Sequence, residues 1–385
     1  MKSKRSGLMF NDETIQWAEE IFGKIDHKLT LEAERLGDKI PYIPDEKTGR
    51  YEEDMGKKDP VWWCNGFWSG MMWQMYHATD KELYRKTAEA NEDRLDKAFD
   101  IYTGLHHDVG FMWLHTSVAN YRLTGSERSK ARGLHAAHLL AGRYNPRGQF
   151  IRSWNRDRAG WVIIDSMLNI PLLYWAKETI GDPRFGFDAE DHADKVMNNI
   201  VRPDGSVSHI GVFDPYTGEL LETPGGQGYA SGSSWSRGQS WAIYGFVLSY
   251  VHTGKKEYLD TAKKVAHYFI AEVSKTDWIP VVDFRSPTDP VMIDTSAGMC
   301  AVCGFLEIAK HVGEYEKQLY IDAAINILKA TEEKYAIWDD EKDGLIDYAT
   351  GSYHEELWTE VPIIYSDYYF VEAILRILDK SFLIW

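Results

Sequence analysis

Apolar positions recur every three or four residues along most of the chain and polar residues fill the intervals, the period of helices rather than strands. The pattern is clearest over 256–273, where Tyr258, Ala262, Val265, Ala266, Phe269 and Ile270 form one stripe and the lysines lie off it. Five segments share a plan, in which an apolar helix ends in a Thr, Gly or Asp turn and a tyrosine-containing helix with alanines follows. They run over 75–95, 121–140, 179–200, 251–270 and 311–330. Five such joints imply ten helices, and an opening helix near 12–36 with a closing one near 361–380 makes twelve. Six hairpins suit a closed toroid. The spacing between joints, from about 45 to about 73 residues, is too irregular for TPR or HEAT arrays. Short strands are expected only at 206–213 ("SVSHIGVF") and 279–284 ("IPVVDF"), inside long connections. The expectation is one all-α domain over residues 1–385, with its long loops gathered at one rim.

Composition agrees with a thick core, since 44% of the 385 residues are hydrophobic and 14% aromatic. No apolar run approaches the roughly 20 residues of a membrane span. The basic start "MKSKRSGLMF" leads into "NDETIQWAEE" rather than an apolar signal region, so a cytoplasmic protein is expected. Cys64, Cys300 and Cys303 are too few for a disulfide framework and read as core thiols. A net charge of −16 argues against nucleic acid as a partner but leaves room for a small anion held by a local arginine. The chain has no P-loop, G-x-G-x-x-G, H-E-x-x-H or G-x-S-x-G, and no cluster with convincing metal-ligand spacing, so neither cofactor nor metal is expected.

Titratable chemistry gathers at the stretch "HHDVGF" (106–111). Asp108 opens an apolar helical pattern and reads as an N-cap, but His106 and His107 before it and Gly110 and Phe111 after it make that end look like a pocket wall. A second carboxylate, Asp165, lies within "WVIIDSMLNIPLLYWA" (161–176), where burial favours its protonated form. It also reads as a buried helix cap, with Pro171 marking a helix start nearby. Two carboxylates in such unlike settings are what acid/base chemistry on sugars uses. The loop 209–246, dense in Gly, Ser and aromatic residues, adds His209 and Gln227, and "WSRGQSW" adds Trp235, Arg237 and Trp241 at a helix start. Stacking surfaces and a guanidinium fork suit a sugar acid, while a core Trp241 and an Arg237 paired with a structural acid explain the same residues. Four tryptophans fall within 62–73, and Trp63, just before the turn Asn65–Gly66, is the one expected to face a pocket. Asp294 in "DTSAG" reads as a cap.

In this combination the chain resembles the unsaturated glucuronyl hydrolases of glycoside hydrolase family 88 and, more distantly, the unsaturated rhamnogalacturonyl hydrolases of family 105. The resemblance runs in order from "WCNGFWSGMMW" through "HHDVGF", "IIDSMLNIPLLYWA", "VRPDGSVSH", "QGYASGSSWSRGQSWAIYGF" and "DTSAG" to "YSDYYFVEAI". It implies an (α/α)6 barrel that removes Δ4,5-unsaturated uronic acid from lyase-generated, glycosaminoglycan-like oligosaccharides by hydrating the C4=C5 enol ether. Asp165 would then be the acid/base and Asp108 the second essential aspartate. Trp63, His107, His209, Gln227, Arg237 and Trp241 would line the sugar site. The stretch "GSYHEELWTEVP" (351–362) lacks the Ser/Lys pattern of relatives acting on sulfated fragments, which leaves sulfate tolerance open. Rhamnogalacturonyl hydrolysis, sugar epimerisation and a non-catalytic glycan-binding toroid are the alternatives.

Overall fold

A computed structural model describes residues 8–385; residues 1–7, with most of the basic start, lie outside the described residues. Among the described residues, twelve longer helices alternate between an outer and an inner ring. The outer ring is α1 (Asp12–Leu36), α3 (Glu82–Asp100), α5 (Glu127–Ala141), α7 (Pro183–Asn199), α9 (Lys256–Val273) and α11 (Glu314–Tyr335). The inner ring is α2 (Phe67–Thr79), α4 (Val109–Trp113, continued through Leu114–Val118 and Ala119–Thr124), α6 (Pro171–Ile180), α8 (Ser236–Thr253), α10 (Thr295–His311) and α12 (Ile364–Ile377). This is the expected (α/α)6 barrel. The ring a helix belongs to explains how plainly it reads in the sequence. Outer helices bury one stripe, as α9 does with Tyr258, Ala262, Val265, Ala266 and Phe269, whereas α10 and α12 are buried on every side and lose the polar face that marks the period.

The Thr/Gly/Asp turns of the repeat are the ends of inner helices. Gly125, Gly181 and Gly254 close α4, α6 and α8 with φ of 74°, 72° and 72°, a left-handed conformation that glycine enters without a Cβ penalty. Outer helices then start on caps such as Ser126 and Asp182, which accept from Ser129 and Arg184 N–H. All three cysteines are buried and free.

Among the described residues, strands occur only in the long connections. β1 (Tyr144–Asn145) pairs with β2 (Phe150–Ile151), and β3 (Trp161–Ile163), β4 (Ile210–Phe213) and β5 (Leu220–Glu222) form an antiparallel sheet in the order β3-β4-β5. β4 lies inside the expected 206–213. The expected strand at 279–284 is only a pair of isolated bridges, Val281 to Ile293 and Trp235 to Asp283. The stretch after Gly160 begins as β3, not as helix, because its backbone is taken up by β4 in the register Trp161 to Val212, Val162 to Gly211 and Ile163 to Ile210. The functional consequence is that the ladder runs one residue further, with Ile164 N–H donating to the His209 carbonyl at 3.0 Å, and so sets Asp165 beside His209.

Candidate active site

The starts of the six inner helices converge on one rim. Trp63 and Asn65 stand on the turn before α2, Asp108 at the start of α4, Asp165 on the 3-10 turn Ile164–Leu168 before α6, Arg237 in the first turn of α8, Asp294 before α10 and Tyr365 in the first turn of α12. Ring contacts join them. Trp63 stacks on Tyr365 (centroids 5.2 Å apart) and meets Phe111 at 5.4 Å, and Phe111 meets Trp241 at 5.4 Å.

Asp108 holds the N-cap position of α4, but its carboxylate caps no backbone N–H. The cap reading is corrected here, because the side chain is drawn aside by better partners. His106 Nδ1 lies 2.8 Å from Oδ2, His107 Nε2 lies 3.4 Å from Oδ1, and Asn169 Nδ2 donates to Oδ1 at 3.1 Å. Burial opposes ionisation of Asp108, yet the imidazoles of His107 and His106 and the Asn169 amide outweigh it and lower its pKa to about 2. Burial also lowers the pKa of His107 to about 4, so its ring is neutral near pH 7 and takes up a proton only below about pH 4. Both ring nitrogens of His107 are buried without a hydrogen-bond partner.

Asp165 is 7% exposed, and its Oδ2 has no hydrogen bond. His209 Nε2 lies 3.6 Å from that oxygen. Gln227 N–H donates to His209 Nδ1 at 2.9 Å, so in the neutral ring the hydrogen sits on Nε2, the nitrogen facing Asp165. Gly226 makes that contact possible, since with φ +59° a Cβ there would fall 2.0 Å from His209 Nδ1. The Asp165 turn is braced from below. Ile151 N–H donates to His192 Nδ1, His192 Nε2 then donates to Ser166 Oγ (2.7 Å), and Ser166 donates to the Ile163 carbonyl.

The remaining expected residues divide into those at the opening and those beneath it. Trp63 is half-buried and Trp241 wholly buried. Gln227 Nε2 donates to the Gly351 carbonyl at 2.7 Å, and its own carbonyl accepts from Tyr353 N–H, so it ties the rim loop to 351–353. Arg237 has its guanidinium engaged by Asp294 Oδ2, the Thr350 carbonyl and the Gly351 carbonyl, each at 2.5 Å. Asp294 caps α10 through Ser296 N–H as expected and also holds this arginine. Trp154, Tyr365 and Asn169 escaped the sequence reading. Trp154 and His106 line a cavity of about 350 Å³ with Asn155, Arg156 and Arg158, and the Arg158 guanidinium lies between the Trp154 and Trp161 rings, 4.8 Å from each. Tyr365 carries the stacked wall opposite Trp63. Asn169 stands four residues after Asp165, a spacing that returns it to the same side of a helical turn and was the available signal. A second cavity, of about 400 Å³ and lined mainly by apolar groups such as Ile279, Phe284 and Met292, holds none of the expected residues.

Among the described residues, His106, His107 and Asp108 are the one group whose ligand atoms, all within 4.8 Å, suit a metal ion. Asn169 already occupies Oδ1 of Asp108, and Nδ1 of His107 lacks the outer acceptor that a metal-bound imidazole ordinarily has. The arrangement fits a set of acceptors and donors for sugar hydroxyls better than a metal centre.

Residues 40–251 match the sequence profile of Glycosyl Hydrolase Family 88. The chain is 36% identical to an unsaturated glucuronyl hydrolase of Bacillus sp. (strain GL1), over 89% of this chain and 92% of that one. It superposes on the solved unsaturated glucuronyl hydrolase of Streptococcus agalactiae with a TM-score of 0.89 at 29% identity, covering 98% and 95% of the two chains. A solved structure of UGL with dGlcA-Glc-Rha-Glc superposes at 0.87, with 34% identity and coverage of 92% and 95%.

Proposed function

The chain belongs to glycosyl hydrolase family 88, and from that premise we propose that it removes a Δ4,5-unsaturated uronic acid from the non-reducing end of lyase-generated oligosaccharides. The observation that carries this reading is the pair of buried carboxylates in unlike surroundings, Asp108 held as an anion among donors and Asp165 facing a single imidazole N–H, joined through Asn169 at the open rim.

In the proposed reaction the acid form of Asp165 gives its proton to C4, and the π electrons of C4=C5 form the new C–H bond. The ring oxygen stabilises the positive charge at C5. Asp165, now a carboxylate, takes a proton from water as the water oxygen bonds to C5, and a hemiketal results. The hemiketal opens to a C5 ketone, and the hemiacetal-type carbon at C1 releases the shortened saccharide. Such an acid must give and then recover one proton, and the group it faces is the His209 imidazole. His209 Nε2–H steadies Asp165 in its anionic phase. Asp108 accepts from ring hydroxyls, and Trp63 walls the sugar at the opening, with His107 and Trp241 packed behind. Six helix starts at the rim favour the uronate carboxylate. The bound relative named above carries the same class of sugar, dGlcA, in dGlcA-Glc-Rha-Glc.

Asp165→Asn keeps the shape and removes the proton. With unsaturated uronyl disaccharides, the loss of ultraviolet absorbance of the conjugated C4=C5 bond is expected to fall roughly 10²–10⁴-fold in this variant while the protein stays folded. Undiminished bleaching would overturn the role of Asp165. We further propose that residues 1–385 act as one catalytic barrel in the cytoplasm on imported fragments. No helix among the described residues is long and apolar enough to cross a membrane. Recovery of the protein mainly from a periplasmic or culture fraction would contradict that placement.

A further inference from the structure

One side chain touches both carboxylate-bearing segments. Asn169 Nδ2 donates to Asp108 Oδ1 at 3.1 Å and to the main-chain carbonyl of Asp165 at 3.2 Å, and its Oδ1 accepts from Phe111 N–H at 2.8 Å. These partners fix the amide orientation. Turned over, the oxygen would face a carboxylate and a carbonyl, and the NH₂ would face an N–H. Asn169 is 0% exposed, so no water competes for these bonds. The start of α4 is shaped to receive it: a Cβ on Gly110 would stand 2.4 Å from Asn169 Cα and 2.5 Å from its carbonyl oxygen.

We infer that Asn169 is a positioning residue that locks Asp108 to the turn carrying Asp165, so that the group holding the sugar and the group moving the proton keep one relative geometry. This rests on the hydrolase reading above. Asn169 touches no reacting atom in that scheme. A misplacement of about 1 Å between binding and reacting groups is enough to cost roughly 10²-fold in rate.

Asn169→Asp is nearly isosteric but sets a second carboxylate oxygen against Asp108 Oδ1. One shared proton between the two restores the donor towards Asp108 and the original charge of the pair, while the bond to the Asp165 carbonyl stays lost. The other groups around Asp108 are unchanged in the variant: His106 and His107 on its own segment, Arg143 after α5 and Cys64 before α2. In Asn169→Asp, kcat/KM on an unsaturated uronyl disaccharide is therefore expected to fall about 10²-fold at pH 8 and to recover on acidification, moving the alkaline limb down by at least about one pH unit. Asn169→Ala is expected to lose activity without that recovery. In an Asp165→Asn background, where turnover does not interfere, Asn169→Ala is expected to weaken disaccharide binding about tenfold by tryptophan fluorescence, because Asp108 is left unaimed. Asn169→Ser, a milder change, guards against loss of fold, with near-ultraviolet circular dichroism as the check. A folded Asn169→Asp or Asn169→Ser enzyme with an unaltered pH profile and unaltered disaccharide binding would overturn the assignment. Wild-type turnover is the control: its absence would defeat the hydrolase reading, whereas wild-type turnover with indifferent variants would defeat only the role of Asn169.

Discussion

Arg237 shows how a sequence can offer two partners for one residue, a ligand carboxylate or a structural acid, and leave the acid unnamed; in the structure that acid is Asp294. The run "WSRGQSW" announces a cation at a helix start beside two aromatic residues, and the ring contacts are there, with the guanidinium 4.6 Å from Trp235 and 5.2 Å from Tyr365. Its partners Asp294, Thr350 and Gly351 come from 57 to 114 residues away, and no local pattern predicts such distant pairings. With Arg237 1% exposed and Asp294 0%, the pair is a support under the rim. Arg237→Met leaves a buried, unpaired carboxylate and is expected to cost about 3–5 kcal/mol in urea unfolding. A loss below about 1 kcal/mol, the range of exposed pairs, would contradict this account of the bond. Asp108 and Asp165 were legible because compact polar groups interrupt apolar runs. Asn169 was not, because an asparagine near a proline reads as turn chemistry and its three bonds reach across the fold.

At the scale of elements, the twelve helices were legible from period and turn residues. The interruption of α4 was not. Residues 109–119 are buried throughout, so the run carries no polar face from which to read phase, and the π turn Leu114–Val118 is set by tertiary packing. β3 escaped for a related reason, since three residues are too few to show a period of two. Close approach between elements is written instead in small residues. Gly110 lets the start of α4 lie against the Asn169 backbone, and the contact leaves no space for a methyl group. Gly110→Ala is expected to lower stability by about 1–3 kcal/mol and kcat/KM by roughly 10²-fold together, because the same displacement strains the core and moves Asn169 away from Asp108. Urea unfolding and steady-state kinetics on the one variant check both, and a destabilised enzyme with undiminished kcat/KM would separate packing from function.

For the whole molecule, the buried titratable groups set how stability follows pH. Burial disfavours the imidazolium form and holds His107 down to about 4, and His115 and His192 each down to about 3. In the unfolded chain these rings take protons near pH 6.5. Between about pH 6.5 and 4 the unfolded state therefore binds protons that the folded state refuses, and stability falls with pH. Glu32 and Asp367 act in the opposite sense. Burial raises them to about 8 and about 7, so the folded protein keeps protons that the unfolded chain has already released, and that stabilisation is lost as pH rises towards 8. Three histidines outweigh two acids on the acid side and are silent above about 6.5, which places the maximum near pH 6–7, with declines on both sides of roughly 1 kcal/mol per pH unit. Urea midpoints rising steadily through pH 8 would contradict this balance.

The same molecule gathers six inner-helix starts at one rim, and the central proposal for that rim is that water adds across C4=C5 before the glycosidic bond is lost. The direct test follows two signals in one reaction mixture, ultraviolet bleaching of the C4=C5 bond and appearance of the released reducing sugar, for the wild type and for Asp165→Asn. Bleaching is expected to precede or keep pace with sugar release, and both to fall roughly 10²–10⁴-fold in the variant. Sugar released ahead of bleaching, with a free unsaturated uronate accumulating, would mean direct attack at the anomeric carbon and would contradict it.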